Sequence, residues 1–116
     1  MAFNFEKLNV WKIAVEYADD IHFITRKFPK EEVFSLSSQI KRACDSVSLN
    51  IAEGATGNSK TEFSRFLTYS SRSCAEVVTC LYHARKREYI GDEEFKRLYD
   101  KAELIFKMIN KLKNSL

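Results

Sequence analysis

The chain has 116 residues, 45% apolar and 30% charged, with a formal charge of +3; this length carries one hydrophobic core unaided, and this balance excludes a disordered chain. Three glycines and one proline are too few for a β-rich fold, which needs turn residues at short intervals. The positive excess is too mild to imply nucleic-acid binding by itself, and the three cysteines show no framework spacing, which fits a reducing compartment.

No stretch approaches the roughly 20 apolar residues of a membrane span. Met1 to Leu8 lacks a basic run leading into an apolar one, so the expectation is a cytoplasmic protein without membrane association.

The first helix is predicted from about Val10 to Phe28. Trp11, Ala14, Val15, Ala18, Ile21, Thr25 and Phe28 recur at helical spacing and form one apolar face. Val10, Ile13, Tyr17 and Ile24, with Phe23, form a second stripe beside it. Two stripes exceed what a monomeric surface helix needs. Either another subunit covers the second one, making Val10, Ile13, Tyr17 and Ile24 an oligomer interface, or Phe3, Phe5 or the last helix covers it within the chain. Pro29 ends the helix, because it disfavours helical geometry at Phe28 and has no N–H to donate.

The second helix is predicted from about Ser35 to Ala52, with Leu36, Ile40, Ala43, Val47 and Ile51 inward and Ser37, Lys41, Asp45 and Ser48 outward. Gly54 suits a left-handed position just past its end. Ser59-Lys60-Thr61-Glu62 matches a capping box, and the third helix continues to about Glu88 with Phe63, Phe66, Leu67, Ser70, Cys74, Val77, Val78, Leu81 and Ala84 inward. Gly91-Asp92 reads as a turn and N-cap. The fourth helix then runs from Glu93 to about Lys113, its core face including Phe95, Leu98, Ala102, Ile105, Phe106 and Ile109. Four helices with short connections predict an all-α, antiparallel up-down-up-down four-helix bundle occupying the whole chain as one domain.

Catalytic patterns are missing. Cys80 and His83 share a helix face but have no paired ligands at short spacing, so buried thiols are favoured over zinc. Position 19 is Asp19 and position 80 is Cys80, so neither histidine follows a glutamate by three residues, as di-iron bundles require. No glycine-rich phosphate loop ends in lysine and a hydroxyl residue. The expectation is no enzyme and no cofactor.

The remaining signals are polar. Lys41-Arg42, Arg65, Arg72 and Arg85-Lys86-Arg87 are candidate contacts for phosphate backbones, which need only positioned cations; equally, cations at helix C-termini complement the helix dipole. Asn50 and Glu53 form either a buried polar pair fixing register or subunit contact, with Arg42, Arg72 or the third helix's N-terminus as partner, or a solvated helix end.

Leu8-x-Val10-Trp11, Phe28-Pro29, Gln39-Ile40-Lys41-Arg42-Ala43, Asn50-Ile51-Ala52-Glu53-Gly54, Glu62-Phe63 with Phe66-Leu67, Ser73 with Glu76, and Tyr89-Ile90 occur in order. Together they resemble the bacterial four-helix-bundle family named for proteins encoded in intervening sequences of 23S ribosomal RNA genes. Asn50, Glu53 and Gly54 belong to its most specific motif. The resemblance implies a homopentameric ring. It also implies similarity to accessory proteins of diversity-generating retroelements, which bind a reverse transcriptase and RNA or DNA through a basic surface. On that analogy Arg42 and the third helix's cations are the contacts. Here the segment after Gly54 is Ala55-Thr56-Gly57-Asn58, where the family often places arginine.

Overall fold

In a computed structural model describing residues 1–116, the apolar periodicities become four helices: α1 (Asn9–Ile24), α2 (Leu36–Thr56), α3 (Lys60–Lys86) and α4 (Asp92–Asn114). Short 3-10 turns occupy Asn4–Lys7, Thr25–Lys27 and Lys30–Glu32. Each helix packs on the next in sequence, and α4 closes back on α1. Cross-helix contacts run in opposite order along neighbours. Val47 meets Ser70 while Gly54 meets Phe66, and Tyr17 meets Leu98 while Lys27 meets Glu94. The bundle measures 44 × 23 × 22 Å.

Its core is a stack of β-branched and leucine side chains, including Ile21, Ile40, Ile51, Leu67, Val77, Leu81, Leu98, Ile105 and Ile109. Inside it, the Tyr17 hydroxyl donates to the Leu98 carbonyl at 2.8 Å, joining α1 to α4. Burial first, then nearby Cys44 and Cys74, push the Tyr17 phenol far above its usual range. Ser70 Oγ donates to the Val47 carbonyl at 2.8 Å, which requires the α2 and α3 backbones to lie close.

Gly54 explains that closeness and corrects the expectation placed on it. It lies inside α2, buried, without a positive φ. A Cβ there would stand 2.7 Å from Phe66 Cβ and 3.0 Å from Phe63 Cδ1. The glycine admits a neighbouring helix instead of ending its own, and α2 continues to Thr56.

The third helix stops earlier than the periodicity predicts. Glu88 has φ 63°. The Tyr89 N–H reaches the Ala84 carbonyl at 2.8 Å and the Glu88 N–H reaches the Arg85 carbonyl at 2.9 Å, the paired bonds of a Schellman stop. A glutamate therefore holds the left-handed position that glycine usually takes. Gly91, with extended backbone, caps α4, so Asp92 is already helical.

Glu32 ties the two ends of the chain's helical pairs. Its carboxylate accepts from Ser35 Oγ at 2.6 Å, the Leu36 N–H at 3.3 Å, the Tyr89 hydroxyl at 2.7 Å and Arg87 at 3.1 Å. It thereby caps α2 and anchors the α3–α4 connection to it. Hydrogen bonds from Ser35 and Tyr89 hold its pKa down at about 2.

Three further placements differ from the periodicity. Ser37 is buried instead of outward, Phe106 is 41% exposed instead of in the core, and Val15 is exposed on α1. In α4, Arg97 does not pair with Glu93. It crosses to Asp20 on α1 at 2.6 Å, with Lys101 on the same carboxylate at 3.3 Å. Burial opposes the Asp20 charge, yet these two cations keep its pKa below the ordinary value.

Candidate nucleic-acid interface

Of the seven cations singled out from the sequence, three are engaged within the chain. Arg65 pairs with Glu62 on the same helix. Arg87 pairs with Glu32. The Arg85 guanidinium lies 4.0 Å from the Phe95 ring centroid and 5.4 Å from that of Tyr82, a cation–π contact across the α3–α4 seam. Arg42 hydrogen-bonds only Ser38 Oγ, at 3.2 Å. Lys41, Arg72 and Lys86 have no carboxylate within ion-pair distance, and Arg72 and Lys86 are exposed. The unneutralised set is thus Lys41, Arg42, Arg72 and Lys86.

These four do not converge on one patch. Arg42 and Arg72 project from the paired helices α2 and α3, and Lys86 stands in the last turn of α3. Lys41, one residue before Arg42, instead lines a cleft against α1 together with Arg26 and His22. Sequence reasoning missed Arg26, because fifteen residues and a helix connection separate it from Lys41. Only the antiparallel packing of α1 on α2 brings them level.

The motif residues separate in the same way. Asn50 is half-buried and donates to the Ser46 carbonyl at 2.8 Å within its own helix. Glu53 is exposed and makes no ion pair. The chain therefore holds no buried Asn50–Glu53 pair, and neither Arg42 nor Arg72 reaches Glu53. Beside them Leu49 is 64% exposed. Tyr69 is exposed with its ring edge-on to Phe66, 5.6 Å between centroids. The outer side of the α2–α3 pair thus carries apolar surface next to a free carboxylate.

The stripe assigned to an oligomer interface falls mostly elsewhere. Val10, Tyr17 and Ile24 are 4%, 4% and 1% exposed in the chain alone, and Ile13 is partly buried against the same core. Helix α4 covers that stripe; Tyr17 even bonds to it. The surplus apolar surface of α1 lies instead at Val15 and Phe23.

The thiols are withdrawn from chemistry. Cys44, Cys74 and Cys80 are all buried. Burial pushes Cys74 up to about 12 and Cys80 to about 11, which keeps both protonated at neutral pH. His83, exposed on α3, does not share that environment. No helix is long and apolar enough to cross a membrane.

Comparison with known structures finds a protein of unknown function from the S23 ribosomal protein family of Bacteroides thetaiotaomicron. It superposes with a TM-score of 0.83 over 90% of this chain and 95% of its own, at 23% sequence identity. That likeness establishes the shared four-helix fold. No curated protein matches the sequence. The family profile described as 23S rRNA-intervening sequence protein matches residues 6–111, which takes in α1, the Asn50–Gly54 motif, the Glu32 anchor and nearly all of α4. The chain belongs to the 23S rRNA-intervening sequence protein family.

Proposed function

We propose that this protein is a non-catalytic accessory bundle that assembles with copies of itself and holds RNA or DNA through phosphate contacts, without base-sequence preference. The observation that carries the reading is the set of cations left without carboxylate partners. Intrachain pairing and stacking account for Arg65, Arg85 and Arg87, and the helix dipole adds to this for Arg85 and Arg87 at the C-terminal end of α3; that dipole explanation does not reach Arg65. It does not extend to Arg42 and Arg72, which sit mid-helix, far from the C-terminal turns where such charges are favoured. The four free cations among those seven make a weak site; repeated around an assembly such as the pentamer that the family resemblance implies, they multiply.

A second reading has its own support. Phe34 is 96% exposed in the α1–α2 connection, and Leu49 and Tyr69 are exposed on the α2–α3 side, surface suited to a protein partner such as a reverse transcriptase or to another copy. In that reading the bundle is an adaptor ring.

Salt separates the two. Light scattering after size-exclusion chromatography, with and without a mixed RNA pool at low salt, is expected to give a multimer that co-elutes with RNA and releases it as salt rises. The triple change Arg42→Ala, Arg72→Ala and Lys86→Ala is expected to flatten the salt slope by about 0.9 for each duplex phosphate it leaves unneutralised, less on single strands. A multimer that ignores RNA at low salt overturns the phosphate reading in favour of the adaptor.

A further inference from the structure

The C-terminal end of α1 and the first turns of α2 enclose an open cleft of about 550 Å³. Ser37 forms part of its lining. This residue is only 5% exposed, yet its hydroxyl has no hydrogen-bond partner in the chain. No fully enclosed polar side-chain atom of the protein lacks a partner, so the hydroxyl must open to the cleft. A hydroxyl that opens to the cleft and is unused within the chain is free to donate to a bound oxyanion.

Cations line the cleft from α2 and from the 3-10 turn that follows α1. Lys41 follows Ser37 by one turn on α2 and makes no ion pair or hydrogen bond. His22 on α1 meets Asp45 on α2 at 3.0 Å, which fixes the antiparallel register there. One turn further, Arg26 and Lys41 come level. Arg26 pairs with no carboxylate; its guanidinium lies 5.3 Å from the Phe23 ring centroid, which steadies it at the cleft wall. Asp19, the one carboxylate lining the cleft, lies nearly two turns before Arg26, at the other end. The N-terminus of α2 is already capped by the Glu32 carboxylate, so the positive field at Ser37 comes from Lys41 and Arg26.

We propose that this cleft binds a phosphate group, held by the Arg26 guanidinium, the Lys41 ammonium and the Ser37 hydroxyl. Two cations and one short donor, from α2 and from the 3-10 turn that follows α1, suit a tetrahedral oxyanion through charge-assisted hydrogen bonds. The proposal rests on the phosphate-contact reading above and deepens it by naming one place where a phosphate sits. The same chemistry would accept a phosphate of a nucleic-acid backbone or a free phosphorylated molecule.

The test uses the full chain and two probes: inorganic phosphate by calorimetry, and a labelled single-stranded RNA oligonucleotide by fluorescence anisotropy. Arg26 and Lys41 reach solvent, so Arg26→Ala with Lys41→Ala should leave the fold intact. Lys12→Ala, an exposed lysine outside the cleft, serves as the charge control. The double variant is expected to weaken phosphate and RNA binding by about tenfold or more, with Lys41→Arg restoring most of it and the control changing little. Loss of phosphate binding with RNA affinity unchanged also supports the site, and assigns it to a free phosphorylated molecule. No saturable phosphate binding, together with RNA affinity no weaker in the double variant than in the control, overturns the site. Wild-type RNA binding in that case would leave the broader phosphate reading standing.

Discussion

A methyl group added at position 54 would lie 2.7 Å from Phe66 Cβ, an atom rooted on the α3 backbone that no rotamer change can move aside. Gly54→Ala gains up to about 1 kcal/mol of helix propensity and incurs about 1–3 kcal/mol of overpacking. The steric term wins, so the expected outcome is a lower thermal midpoint, by several degrees for a domain of this size, read by circular dichroism. A raised midpoint would mean that α2 and α3 can part cheaply. Glu88 presents the opposite case. Its φ of 63° strains an L residue by about 1–2 kcal/mol, part of which glycine loses again through its freer unfolded chain. Glu88→Gly is therefore expected to raise stability by about 0.5–1 kcal/mol, visible as a later urea midpoint at unchanged slope. An unchanged or earlier midpoint would show that the glutamate side chain itself contributes there.

At the scale of elements, Glu32 decides how the helices are joined. Its pKa is held down at about 2, against an ordinary value of 4.5. A depressed carboxyl contributes stability in full above its unfolded pKa, and that contribution fades as pH falls through the folded one. Urea midpoints of the wild type and Glu32→Gln should thus differ by a constant amount at and above about pH 6, then converge between about pH 4.5 and 2. A gap that persists unchanged to the acid end would show that the carboxylate's charge is immaterial. The node also marks where sequence reading stops. Helix number and the core positions of Ile40, Val47, Leu81 and Ile109 were legible because helical periodicity reports burial directly. Glu32 was not, because its partners Tyr89 and Arg87 lie more than fifty residues away and no local pattern links them. Gly54 was misread because a glycine near a helix end has two explanations, and only the approach of Phe66 distinguishes them. The stripe of Val10, Tyr17 and Ile24 was left open between a subunit contact and cover within the chain for a related reason. Periodicity shows that a surface must be covered but not by what, and α4 covers it. Lys41 was legible as a cation, but the cleft it shares with Arg26 follows from packing alone.

For the whole molecule the question is which face remains for assembly once the second stripe of α1 is filled from within. The exposed apolar residues Leu49 and Tyr69 belong to the two helices that meet at Gly54, and the free carboxylate of Glu53 lies beside them. A carboxylate without a cation in its own chain, next to apolar surface, fits a subunit contact that supplies both cover and a counter-charge. Leu49→Glu with Tyr69→Glu should therefore lower the mass found by light scattering while helicity stays near that of the wild type, since neither side chain belongs to the core. Because avidity depends on copy number, RNA affinity should fall with the mass even though Lys41, Arg42, Arg72 and Lys86 are all retained. An unchanged mass would move the subunit contact to another side, where Phe106 and Ala75 line the groove between α3 and α4. A lowered mass with undiminished RNA affinity would instead show that one bundle binds its phosphates independently, and that assembly is not what multiplies the charge.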